Sequence, residues 1–157
     1  MSNLPYAEDS NYWQTGKSGP DTWIEKAAGQ VAKIGGKVMM RGMGTHPDSG
    51  RSAFVLIFEI EADSFRVVWP VLPLKTTTPI KERAAQRQAA TFLFHDVKAR
   101  CLSSAILGAR TSFFSFMMLP DGRVASEAQK SEIAELGGQL FGNAVPLIEG
   151  EIIERGE

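Results

Sequence analysis

One cysteine, Cys101, and two histidines, His46 and His95, are all that the 157 residues offer of the side chains that build disulfides and zinc sites. A lone cysteine excludes an internal disulfide and fits a reducing compartment. No two of the three have zinc-ligand spacing, and neighbouring helical residues such as His95 and Asp96 point in different directions. Long apolar runs are missing too: none approaches the ~18 residues of a membrane-spanning helix. Neither sign of charge is in excess, with 17 Lys and Arg against 18 Asp and Glu. With 43% hydrophobic residues and a net charge of −1, the composition is that of a folded chain, not a disordered one. The opening MSNLPYAEDSNYW has neither the basic nor the apolar region of a secretory signal, so a cytoplasmic protein is expected.

Catalytic signatures are equally scarce. There is no Gly-x-Ser-x-Gly elbow and no phosphate-cradling Walker loop. Gly35-Gly36 and Gly42-x-Gly44 lack dinucleotide-fingerprint spacing. Cys101 falls on an apolar helix face, where a thiol behaves as a small hydrophobe. Glu59 and Glu61 share one side of a strand, and a solvated sheet face accounts for them. The expectation is a protein without catalysis, cofactor or metal.

What is present is a pattern of elements. The polar stretch Met1 to Pro20 reads as a flexible N-terminal arm, with Tyr6, Tyr12 and Trp13 expected to dock on the body. A helix is predicted from an Asp21 N-cap, with Ile24, Ala27, Ala28 and Val31 on one face, stopped at Gly35-Gly36. Strands follow at Lys37 to Met43, Arg51 to Glu61 and Phe65 to Val71. In the second, Phe54, Leu56, Phe58 and Ile60 alternate with Val55, Ile57 and Glu59. Thr78-Pro79 opens a long helix with no proline or glycine after Pro79 until Gly108. Ala85, Ala89, Phe92, Leu93, Val97 and Cys101 form its apolar face. A fourth strand is expected at Ser112 to Met118, then a turn at Leu119-Pro120-Asp121-Gly122. A final short helix, capped by Ser126 with Gln129, runs to Gly137-Gly138. The fold expected is α+β: an antiparallel three- to four-stranded meander covered by one long helix, in the order α-β-β-β-α-β-α. It forms a single domain over residues 21–148, followed by an acidic tail over 149–157.

Charge placement is the one functional signal. At about 100° per residue, Arg83, Arg87 and Lys98 share a flank of the long helix, with Phe94 among them. Lys75, Lys81, Arg100 and Arg110 add to a stretch that holds only Glu82 and Asp96 in opposition. Cations interleaved with an aromatic ring suit a surface that tracks phosphates and stacks bases. A solvated helix flank is the competing explanation, and the sequence alone weighs the two evenly.

Two resemblances bear on this. Tyr6-Ala7-Glu8-Asp9-Ser10, Leu72-Pro73-Leu74, Arg87-Gln88, Lys98-Ala99-Arg100 and Leu119-Pro120-Asp121-Gly122-Arg123 resemble motifs of a family of small, largely uncharacterised phage and prophage proteins. That resemblance implies a mobile-element gene in a bacterial host and carries over no catalytic residues. The layout of three antiparallel strands and a long basic helix resembles the core of single-strand annealing proteins, phage recombinases included, which hold a single strand in a positively charged groove. The expectation is therefore a non-catalytic phage-type accessory protein of DNA replication or recombination that binds, and by extension anneals, single-stranded DNA. Arg83, Arg87, Lys98 and Arg100 would contact phosphates, Phe94 or Trp69 would stack on bases, and Arg41, Arg51 and Arg66 would widen the track. The rival expectation is an assembly module forming homo-oligomers through its apolar sheet.

Overall fold

The computed structural model describes residues 4–127 apart from positions 46 and 48. The chain divides into a unit of residues 1–126 and a second of residues 127–157, and the elements described here lie in the first, save a single 3-10 turn, Ala125–Glu127, across the boundary. The expected helix beyond Ser126 and the acidic tail lie outside the described residues.

Helix α1 (Pro20–Lys33) is followed by β1 (Lys37–Thr45), β2 (Ser52–Ile60), β3 (Asp63–Pro70) and the long α2 (Pro79–Leu107). The strands form one antiparallel sheet in the order β1-β2-β3. Residues directly opposite one another in an antiparallel pair share a face. Phe54 faces Trp69, Leu56 faces Val67 and Phe58 faces Phe65, and all of these but Trp69 are buried. That row is the floor of the core. Val55 with Val68, and Ile57 with Arg66, lie on the outer face. Met39 is the extra residue where the β1–β2 register slips between Val38 and Met40. It lets Lys37 and Arg41 keep their places in the ladder.

The helix boundaries follow from elementary constraints. α1 begins two residues earlier than an Asp21 N-cap predicts: Gly19 is the N-cap, without a side-chain hydrogen bond, and Pro20 takes the first turn. There its missing N–H costs nothing and its φ is already helical. Gly35 at φ 86° ends the helix, and the Gly36 amide donates to the Val31 carbonyl at 3.0 Å. α2 spans the predicted residues, its Thr78 Oγ1 accepting from the Lys81 amide at 3.2 Å.

α1 and α2 lie side by side and point the same way. Asp21 and Glu25 share a hollow with Arg83 and Gln86, Trp23 meets Phe94, and Ile34 shares a second hollow with Ser104. The sheet is thus covered by two helices, because the Ile24, Ala27, Ala28 and Val31 stripe of α1 is buried as well. A third layer closes over α2. The N-terminal segment, expected as a flexible arm with docked aromatic residues, lies along it: the Ala7 amide donates to the Pro73 carbonyl at 2.8 Å, and Lys75 pairs with Asp9 at 2.9 Å. α2 is therefore buried on most of its circumference over its middle turns. Ala84, Ala85, Ala89 and Ala90 are all buried, small enough for neighbouring backbones to approach closely.

The fourth strand does not form. After Gly108, at φ 87°, the chain makes a short helix, α3 (Ala109–Ser112), and a 3-10 turn over Phe114–Phe116. Only isolated bridges remain, Phe65 to Met117 and Met118 to Val124. Buried Phe113 and Met117 stand four residues apart, a helical spacing that the phenylalanine-rich run conceals. Phe113 packs on Phe58 and Phe65 at centroid distances of 5.1 and 5.7 Å. The Met118 amide caps the edge of β3 by donating to Ser64 at 2.8 Å. The predicted turn is present, with Gly122 donating to the Leu119 carbonyl at 2.9 Å.

Candidate nucleic-acid interface

The α2 flank carrying Arg83, Arg87 and Lys98 borders the seam with α1. Arg83 and Lys98 are exposed and Arg87 is half-buried. By helix geometry Arg87 lies about 6 Å along the axis from Arg83, and Lys98 about 16 Å further. These three differ from the other cations of the basic stretch in one respect. Lys75 and Lys81 pair with Asp9 and Glu8, Arg100 with Asp96 and Arg110 with Asp63. Arg83, Arg87 and Lys98 have no carboxylate partner among the described residues. None of the three is therefore held in an ion pair, though Asp21 and Glu25 line the same hollow as Arg83.

The aromatic part of this surface is not the one the sequence suggests. Phe94 is only 8% exposed, and its ring packs against Trp23 of α1 at 5.3 Å. It is a wall of the seam, with Lys98 Nζ 5.9 Å above the ring. The ring beside the flank is Trp23, half-buried, with Lys26 Nζ 4.7 Å from its centroid. Trp23 Nε1 and Arg87 Nε are shielded and have no hydrogen-bond partner among the described residues, leaving two donors that the fold does not use. An unmet buried donor costs about 1–3 kcal/mol, so an acceptor that reached either would be favoured.

Arg41 and Arg51 join the flank at its start. A hollow of about 500 Å³ is lined by Arg41, Arg83 and Gln86 together with Asp21 and Glu25, and Arg41 pairs loosely with Glu25 at 3.6 Å. A neighbouring hollow of about 310 Å³ brings Arg51 to the other side of Gln86. Arg100 stands apart: it holds Asp96, donates to the Ser112 carbonyl at 2.8 Å and lies over Phe116. It ties α3 to α2. Arg66 is on the outer sheet face, donating to the Gly122 carbonyl at 3.2 Å. Trp69 stacks on Phe92 at 5.9 Å, lining an apolar hollow of about 340 Å³ with Leu4, Pro5 and Phe116. The structure thus sets Arg41 beside Arg83, with Arg51 in the adjoining hollow and Arg87 and Lys98 further along the same α2 flank, and sets Arg66, Trp69 and Arg100 elsewhere.

Trp23 and Lys26 are the residues of this surface that sequence reasoning misses. Their signal was legible only once α1 was known to flank α2. The short motifs also acquire a role. Ala7 meets Pro73, and the fully buried Gln88 donates to the Ala7 and Asn11 carbonyls at 2.9 Å each. Glu8 accepts from the Lys75 amide at 3.1 Å. Desolvation alone would raise the Glu8 carboxyl, but hydrogen bonds from its own amide and that of Lys75, the charge of Lys81 and the Thr76 amide together hold it below the usual range. Three of the five motifs therefore form one structural knot that anchors the N-terminal segment.

Glu59 is exposed on the outer face opposite Ser64, and Glu61 sits in the β2–β3 turn at φ 57°. Among the described residues no group of three His, Cys, Asp or Glu could hold a metal ion, and no helix is long and apolar enough to cross a membrane. Burial pushes the Cys101 thiol up to about 11, which leaves it un-ionised at neutral pH. Comparison with protein-family models, curated proteins and solved structures gives no match to this chain.

Proposed function

We propose that the protein binds single-stranded DNA without catalysis, as an accessory of replication or recombination in a phage-type element. The observation that carries this reading is the run of Arg83, Arg87 and Lys98, unpaired among the described residues, beside the Trp23 ring. Cations spaced along a groove hold successive phosphates, and a ring between them stacks bases of any sequence. Arg41 and Arg51 extend the track beyond Arg83. The phage setting rests on the short motifs alone.

The test is a variant in which Arg83, Arg87 and Lys98 are all replaced by Gln, measured against a labelled oligonucleotide at low salt. All three side chains are at least partly exposed, so cooperative melting should be kept while affinity falls at least 30-fold. Trp23→Ala should weaken binding by roughly 1–3 kcal/mol, the worth of one stacked base. Unchanged affinity in the triple variant would contradict this surface.

A second reading has its own observation. The outer sheet face presents Met40 and Val68, both about half exposed, beside Val55 and Ile57. Such a face suits an assembly module, and Val68→Lys would then dissociate the oligomer.

A further inference from the structure

The hollow at the start of the basic flank has a lining that a phosphate track does not explain. It opens between the first turns of α1, the edge strand β1 and the start of α2, and measures about 500 Å³, within the range of small-molecule sites. Its floor is apolar, with Ile24 and Phe54 buried and Met43 beside them. Arg41 and Met43 stand opposite Leu56 and Phe54 in the ladder, so both lie on the sheet face that the helices cover. Around the rim are two carboxylates, Asp21 and Glu25, one turn apart on α1, and two guanidiniums, Arg41 and Arg83. Glu25 and Arg41 are loosely joined at 3.6 Å. Asp21 and Arg83 face the same hollow, and neither is held in an ion pair among the described residues.

For a phosphate the carboxylates are a defect, since they repel it. An ionised carboxylate only accepts hydrogen bonds and a guanidinium only donates them. A ligand that fills the hollow has therefore to bring donors to Asp21 and acceptors to an arginine, on a body apolar enough for the floor. An unpaired nucleobase has that form, flat and apolar on its faces and polar at its edges. Guanine fits best of the four. It alone offers two neighbouring acceptors, O6 and N7, to an arginine, together with two neighbouring donors, N1–H and the N2 amino group, to a carboxylate.

We propose that the hollow takes one guanine base of the bound strand, a proposal that rests on the single-stranded DNA reading and adds selectivity at one position. Asp21 accepts from the N1 and N2 donors, and Arg41 donates to O6 and N7. Arg83, exposed on the same rim, holds the phosphate of that nucleotide, so Arg41 reads a base where the track alone would give it a phosphate. Glu25 steers Arg41 without consuming it. Their contact engages Nη2, both side chains are open to solvent, and the other guanidinium donors stay available. An exposed pair of this kind is weak, so an entering base displaces little. The carboxylates that a phosphate would avoid thus become the means of choosing a base.

Fluorescence anisotropy at low salt tests this with an oligothymidylate of about 15 nucleotides and the same strand carrying one central guanine or one central hypoxanthine. Guanine should tighten binding at least about fivefold, the low end of what one bidentate contact discriminates. Hypoxanthine lacks the N2 amino group and should lose most of that gain, an arm that needs no variant of the protein. Asp21→Asn should abolish the guanine gain, bind plain oligothymidylate slightly more tightly because a repelling carboxylate is gone, and still melt cooperatively. Oligothymidylate bound with no gain from guanine, or a gain that Asp21→Asn leaves intact, would overturn the guanine site while the single-strand reading stands. No binding to any of the strands would overturn both. Free deoxyguanosine monophosphate bound as tightly as the guanine-containing strand would make the hollow a nucleotide site and overturn its assignment to a strand.

Discussion

Gln88 sits fully buried in the middle of α2, a poor place for an amide unless its hydrogen bonds are met. Its Nε2 group meets the Ala7 and Asn11 carbonyls, the first of which also accepts from the Ser10 amide, while its Oε1 has no partner among the described residues. Gln88→Leu gives up two donated hydrogen bonds but also removes the unmet oxygen, so it should cost about 1–2 kcal/mol, read as a lower urea midpoint, and loosen the segment to proteolysis. A change within 0.5 kcal/mol would mean that the knot contributes nothing. Glu8 adds a pH signature to the same knot. Its carboxyl titrates below the ordinary value in the folded chain, so the folded state binds that proton less tightly than the unfolded one. The sign is then fixed: the stabilisation is present above the ordinary glutamate range and is lost as pH falls through the lowered value. Urea midpoints between pH 6 and 3 should fall less steeply in Glu8→Gln than in the parent chain. Equal slopes would contradict the assignment.

At the scale of elements, α1 depends on how its C-terminus closes. A Cβ at Gly36 would come within 2.5 Å of Val31 Cγ1 and 3.0 Å of its carbonyl oxygen. Gly36→Ala must push β1 away from α1, at a cost of about 1–3 kcal/mol, and a thermal melt unchanged by it would refute that packing. The stop of this helix, the three strands and the whole of α2 were legible because each rests on local rules: proline at the first turn of α2, glycine beyond a last turn, alternation in β2. The Ser112 to Met118 run was not. Five of its seven residues are Phe or Met, so alternation and helical spacing both fit, and long-range partners decide the matter. Arg100 and Ser103 hold Ser112 in a helical turn. The candidate site divides in the same way. The flank of Arg83, Arg87 and Lys98 is a property of one helix and could be read from spacing. The burial of Phe94, the diversion of Arg100 and the arrival of Trp23 come from other elements.

For the molecule as a whole, a near-neutral chain has divided its charge. Among the described residues, Lys75, Lys81, Arg100 and Arg110 tie segments together around α2 through their ion pairs, while Arg83, Arg87 and Lys98 lie unpaired on the flank beside the α1 seam. That asymmetry matters because cations free of ion pairs are the ones that displace counterions when a polyanion binds. The most direct test is the salt dependence of binding, by fluorescence anisotropy, for a single-stranded DNA oligonucleotide, its RNA counterpart and its duplex. With three to five cations on phosphates, log affinity for the single strand should fall against log salt with a slope of about −2 to −3.5. The triple Gln variant should lose about two units of that slope. Single-stranded DNA should bind more tightly than duplex, and tighter RNA binding would reassign the ligand. Absence of binding to either single strand at low salt would contradict the account and leave self-association as the function of this fold.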